Sequence, residues 1–137
     1  MIVNKNINNV FFIFALSHLI IWTLVPTITN SNLPLDTIEA LAWGSNLEWG
    51  FNKHPPMSAF FPEVFFQIFG AQDWSYYLLS QIFVLISFYY VFKFATEVLQ
   101  DFKLGFISTI LLSSIYFYNF TTLEFNVNVC QLLFWFL

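Results

Sequence analysis

Three short stretches hold residues whose types and spacing could do chemistry. In NLPLDTIEALAWGSNLEWGFNKHPP, Asp36 and Glu39 stand three positions apart, so a helix there carries both carboxylates on one face, where they can share a cation or a proton. Equally, the two acids could simply complement the positive end of that helix's dipole. Farther along, Lys53 and His54 precede Pro55 and Pro56. Two prolines fix two successive φ angles and bias His54 to an extended conformation, so a stiffened loop presents the cation. A preordered cation loses less entropy on capturing an anion, and near the headgroup level that anion would be a phosphate. The alternative for Lys53 is a headgroup anchor without a specific ligand. In TTLEFNVNV, Glu124, Asn126 and Asn128 bring one carboxylate and two amides together. They could complete a site with the first stretch, or they could mark a membrane interface at which Asn126 caps the next helix.

The elements that must position these residues are set by lipid. Charged residues are 9% of the 137-residue chain, against roughly 25% in soluble domains, and phenylalanine occurs 20 times. There is too little polar side chain to cover a water-exposed surface. Measured against the ~20 apolar residues that cross a bilayer, spans are expected at about 10–28, 74–98 and 104–120, with a fourth starting near Val127 and running to Leu137. An outer loop covers about 29–73, with a short amphipathic helix from Asp36. Within it, MSAFFPEVFFQIFGA is too short and interrupted for a span and reads as an interfacial or re-entrant helix. The fold class is therefore all-α integral membrane. The first apolar run exceeds a signal-peptide core and VPTITNSN offers no small-x-small cleavage site, which favours an uncleaved anchor. With no polar cap closing the fourth run, the chain reads as the front part of something longer.

The lysines orient the chain. A cytoplasmic N-terminus places Lys5, Lys93 and Lys103 inside and leaves Lys53 outside, as the positive-inside rule requires. Asp36, Glu39, Glu48, Glu63, Asp73 and Glu124 then lie outside, so the outer face owns most of the ionisable chemistry. A net charge of −4 with no arginine gives no electrostatic footprint for nucleic acid. A sole cysteine, Cys130, excludes an internal disulfide or a CxxC metal pair. His18, amid FALSHLIIW, is a functional candidate by its depth, but reads more simply as a neutral side chain hydrogen-bonded to another helix.

The order of LDTIEALAWGSNLEWGFNKHPPMSAFF, QIFGAQDW and LEFNVNV resembles the N-terminal part of glycosyltransferase family 39. That family comprises protein O-mannosyltransferases and the bacterial enzymes that transfer aminoarabinose or other sugars to lipid A. The resemblance implies the N-terminal part of a multi-span GT-C helical bundle in the bacterial inner membrane. It implies a sugar donor carried on a polyprenyl phosphate and a lipid A or protein acceptor on the extracytoplasmic face, with lipopolysaccharide modification as one setting. Asp36 matches the catalytic carboxylate and Glu39 the acid that follows it; Lys53, with His54 beside it, matches the contact to the lipid phosphate. Glu124, Asn126 and Asn128 match the second-loop residues more loosely. No cofactor is implied with certainty, and a divalent metal stays open. Full members carry many more spans, so the 137 residues alone are expected to be inactive. The alternative is a small non-enzymatic membrane protein that binds partner helices or anionic lipid around Lys53.

Overall fold

The computed structural model describes the backbone of residues 2–132, 134 and 135, and side chains from residue 7 onward. Among these residues every regular element is helical: α1 (Ile2–Thr29), α2 (Leu35–Gly44), α3 (Met57–Phe69), α4 (Asp73–Leu99), α5 (Phe102–Ser113), two single 3-10 turns at Tyr116–Tyr118 and Thr121–Leu123, and α6 (Val127–Gln131). Two helical stretches are long and apolar enough to cross a membrane, Ile7–Thr29 and Asp73–Leu99, the first two expected spans. The expected fourth span is described as α6 and the turn after it; residues 133, 136 and 137 lie outside the described residues, as does the side chain of Lys5.

Over 104–120 the chain is not one continuous helix. Helix α5 stops at Ser113, and the 3-10 segment after it is bent away by 83°. Side chains compete with the helical ladder here. Ser113 and Ser114 donate their hydroxyls to the carbonyls of Ile110 and Leu111 at 2.8 and 2.7 Å. Asn119 folds back to donate its amide to the carbonyl of Ser113 and to that of Ile115, the latter at 3.3 Å. The carbonyls that a helix end leaves unpaired are thus taken up by an amide rather than by another helical turn.

Helix α4 is central, with α1, α3, α5, the second 3-10 turn and α6 packed on it. Phenylalanines form the rungs. Phe11 stacks on Phe92 with centroids 4.4 Å apart, Phe14 stacks on Phe88 at 6.0 Å and meets Phe106 edge-on at 5.9 Å. Such pairs add about 0.5–1.5 kcal/mol each beyond their area. Helix α5 approaches α4 closely because Gly105 has no side chain: a Cβ there would lie 2.1 Å from Thr96 Oγ1 and 2.9 Å from the carbonyl oxygen of Phe92. The expected helix at MSAFFPEVFFQIFGA is α3, ended by Gly70 at φ 71°, a conformation glycine adopts without penalty.

Candidate functional site

At the end of the bundle where α1 finishes and α4 begins, Asn30 donates to Tyr77 Oη at 3.1 Å, and α2 follows, packed on α3. Pro34 occupies the N-cap of α2 and offers no side-chain acceptor, so the first N–H groups of α2 need a partner from elsewhere. Glu124 supplies it. The Asp36 N–H donates to Glu124 Oε1 at 2.7 Å across 88 residues of sequence, and the carboxylate sits at the positive end of the α2 dipole.

The neighbouring contacts make this a docked segment rather than one bond. Thr37, 1% exposed, donates its hydroxyl to the Phe125 carbonyl at 3.3 Å and accepts from the Phe125 N–H at 3.1 Å. Residues Glu124 and Asn126 are extended, so their side chains share one face while Phe125 points to the other. Phe125 is fully buried, edge-on to Phe83 at 5.5 Å, and Phe83 meets Phe61 of α3 at 5.0 Å. Burying that ring is what turns Glu124 and Asn126 toward Asp36. From below, Ser80 and Gln81 of α4 both donate to the Thr122 carbonyl, at 2.5 and 3.4 Å.

Asn126 has two tasks. Its Oδ1 accepts from the N–H groups of Asn128 and Val129 at 3.0 and 3.2 Å, capping α6, while its Nδ2 donates to Asp36 Oδ2 at 3.4 Å. The expected capping by this residue is thus present, and its amide is at the same time in contact with Asp36. Asp36 Oδ1 accepts from no donor among the described residues. Asn128 is exposed, and only its backbone enters this network.

Lys53 and Glu39 form the second half. Lys53 Nζ donates to Glu39 Oε1 at 2.7 Å, with the lysine side chain largely in solvent. That hydrogen bond, then the charge of Glu39 and finally that of Asp36, hold the ammonium above its ordinary value of 10.5. The His54 ring lies 5.5 Å from that of Trp43 on α2, one helical turn after Glu39. The loop is clamped at its base, because a Cβ on Gly44 would lie 2.6 Å from the Ala59 carbonyl oxygen and 2.9 Å from Glu63 Cβ. Helices α2 and α3 therefore meet at close range, with Lys53 on the loop between them. The structure thus brings Asp36, Glu39, Lys53, Glu124 and Asn126 to one end of the bundle; His54 packs there on Trp43, and the side chain of Asn128 is exposed.

Thr37, Phe125, Ser80 and Gln81 escaped the reading of motifs, being ordinary residues in ordinary runs. The one available signal was the alternation Glu-Phe-Asn, polar about a single aromatic, which is the period of an extended segment. His18 belongs elsewhere: it is buried against Phe88 at 5.0 Å, with Gln81 and the Tyr118 backbone as polar neighbours, yet its Nε2 is within bonding distance of no described partner. Cys130 is a buried free thiol. Among the described residues no three His, Cys, Asp or Glu side chains gather in a cluster that would hold a metal ion.

These features define an all-α membrane helical bundle with a carboxylate, amide and lysine cluster at one end. The model of the dolichyl-phosphate-mannose-protein mannosyltransferase family matches residues 53–137. That is more than half of the chain, and the chain belongs to this family of mannosyltransferase-like membrane glycosyltransferases. The matched region begins at Lys53 and includes Glu124, Asn126 and Asn128; Asp36 and Glu39 precede it. No curated protein and no solved structure matches the chain.

Proposed function

We propose that the chain supplies the donor-phosphate and acceptor-activating residues of an enzyme that moves a sugar from a polyprenyl phosphate to a lipid A or protein hydroxyl. One observation carries the reading: Asp36, Glu124 and Asn126, separated by 88 to 90 residues, are hydrogen-bonded together on the helix whose next turn holds Lys53 through Glu39. In the transfer, the acceptor oxygen forms a bond to the sugar's anomeric carbon as the bond from that carbon to the phosphate oxygen breaks. The acceptor proton passes to a carboxylate, for which Asp36 Oδ1 is the free candidate. Negative charge stays on the polyprenyl phosphate, where a fixed ammonium stabilises it.

Lys53 reaches that phosphate by exchanging it for Glu39. The exchange costs little, since an exposed ion pair is screened by water and salt, and Glu39 holds the ammonium in place until the donor arrives. Single displacement inverts the anomeric centre. With the N-terminus cytoplasmic in a bacterial inner membrane, the cluster faces outward, where lipid-linked donors and lipid A or exported protein acceptors meet. The 137 residues by themselves are expected to show little or no turnover.

The test is sugar transfer from a lipid-linked donor in membranes containing the enzyme expressed from its complete reading frame. Asp36→Asn should lower turnover by about 10²–10⁴, the usual worth of a positioned acid–base group. Lys53→Ala should lower it by roughly 10²–10³, the loss seen when one charge-stabilising donor is removed. Near-normal turnover in both variants would sink the assignment.

A further inference from the structure

A groove runs along the bundle between α1 and α4, with Phe102 of α5 bordering its polar end. Its apolar part, 530 Å³, is lined by residues including Ala15, Leu19, Ile82, Leu85 and Ile86. A second part of 360 Å³ continues from it through the shared Phe11, Phe12 and Tyr89 and ends among Asn8, Lys93, Thr96 and Glu97. Both volumes fall in the range of about 300–1,000 Å³ typical of small-molecule sites. Phe12 and Tyr89 form open walls, 62% and 45% exposed.

The groove's placement and charges select its occupant. From Ile82 to Glu97 it extends roughly 22 Å along α4, more than the roughly 15 Å of hydrocarbon in one leaflet. Its polar mouth lies at the end of the bundle remote from Asp36, since Asn30 meets Tyr77 at one end of α4 and Phe11 meets Phe92 near the other. At this mouth Lys93 and Glu97 stand one helical turn apart and line the same cavity, yet neither is in an ion pair with a described residue. Lysine four residues before glutamate is also the less favourable order for a helix-surface pair. One cation and one anion a turn apart, neither in an ion pair with a described residue, stand beside an amide and match a headgroup that carries both charges.

We propose that this groove binds a phospholipid with an ethanolamine headgroup: an acyl chain along the apolar part, the phosphate at Lys93 and Asn8, and the primary ammonium at Glu97. A purely anionic lipid would satisfy Lys93 but meet repulsion at Glu97. A choline headgroup would lack the N–H donors that a carboxylate accepts. The site is independent of sugar transfer and lies in the leaflet opposite the Asp36 cluster.

The experiment reconstitutes the full chain into nanodiscs of equal ethanolamine, glycerol and choline phospholipids with matched acyl chains, and identifies the lipids retained by native mass spectrometry. Ethanolamine phospholipid should be enriched about fivefold over the other two, the factor that corresponds to about 1 kcal/mol. Lys93→Ala should abolish retention of all three. Glu97→Gln should move the preference to the glycerol headgroup. Both positions are exposed, so the variants should fold. Equal retention of the three lipids, preference for the glycerol lipid in the unaltered chain, or an ethanolamine preference untouched by both variants would each overturn the proposal. So would a groove found closed by a second copy of the chain through cysteine cross-linking at Phe12 and Leu85.

Discussion

Removing Glu124 separates its structural task from its chemical one. In Glu124→Ala the Asp36 N–H loses its acceptor at the start of a helix whose N-cap is Pro34. Loss of such a cap costs about 0.5–2 kcal/mol, and loss of a negative charge at the helix N-terminus about 0.3–1 kcal/mol. The two Thr37–Phe125 hydrogen bonds and the buried Phe125 ring remain, so the segment stays docked and a total of roughly 1–3 kcal/mol is expected. Glu124→Gln keeps an oxygen acceptor in the same place and loses mainly the dipole contribution, about 0.3–1 kcal/mol. Thermal unfolding in nanodiscs, followed by far-UV circular dichroism, should therefore rank the unaltered chain above the Gln variant and the Gln variant above the Ala variant. Sugar transfer by the complete enzyme should fall in both, since both remove the carboxylate from the Asp36 cluster. A Gln variant as unstable as the Ala variant would refute the capping role, as would two variants as stable as the parent.

Three further outcomes follow from the packing and charge. Gly105→Ala should separate α4 from α5 at a cost of about 1–3 kcal/mol, the range for overpacking. Adding Thr96→Ala, which removes the oxygen 2.1 Å from the new methyl, should restore only part of the loss, because the Phe92 carbonyl oxygen is still 2.9 Å away; full recovery would show that the helices move freely. Phe125→Ala should cost about 3–5 kcal/mol and lower transfer along with stability, checked by thermal unfolding beside the activity assay. The Lys53–Glu39 pair raises the folded lysine's pKa above 10.5. Its stabilisation should be fully present below that ordinary value and disappear as pH rises through the raised one. Stability measured against pH should lose this alkaline decline in Lys53→Met, and an unchanged decline would assign it to other groups.

Membrane residence, the helical class and the two long spans were legible in the sequence because they are local properties. A run of ~20 apolar residues in lipid must close its own backbone hydrogen bonds, and a helix is how a single segment does so. The third span shows the limit: its composition is right for crossing, but Asn119 and two serines provide alternative partners that hydropathy does not weigh. The candidate acids, amides and lysine were legible by type, and so was the capping role of Asn126. Their relationships were not. Sequence spacing placed Asp36 beside Glu39 on one helix face, whereas the fold gives Asp36 to Glu124 and Asn126 and gives Glu39 to Lys53. Nothing in either short stretch encodes a pairing across some 88 residues. It is decided when the Phe125 ring finds Phe83 on α4 and the unpaired N–H groups above Pro34 find a carboxylate, which are conditions of packing and polar satisfaction that exist only once the helices have assembled.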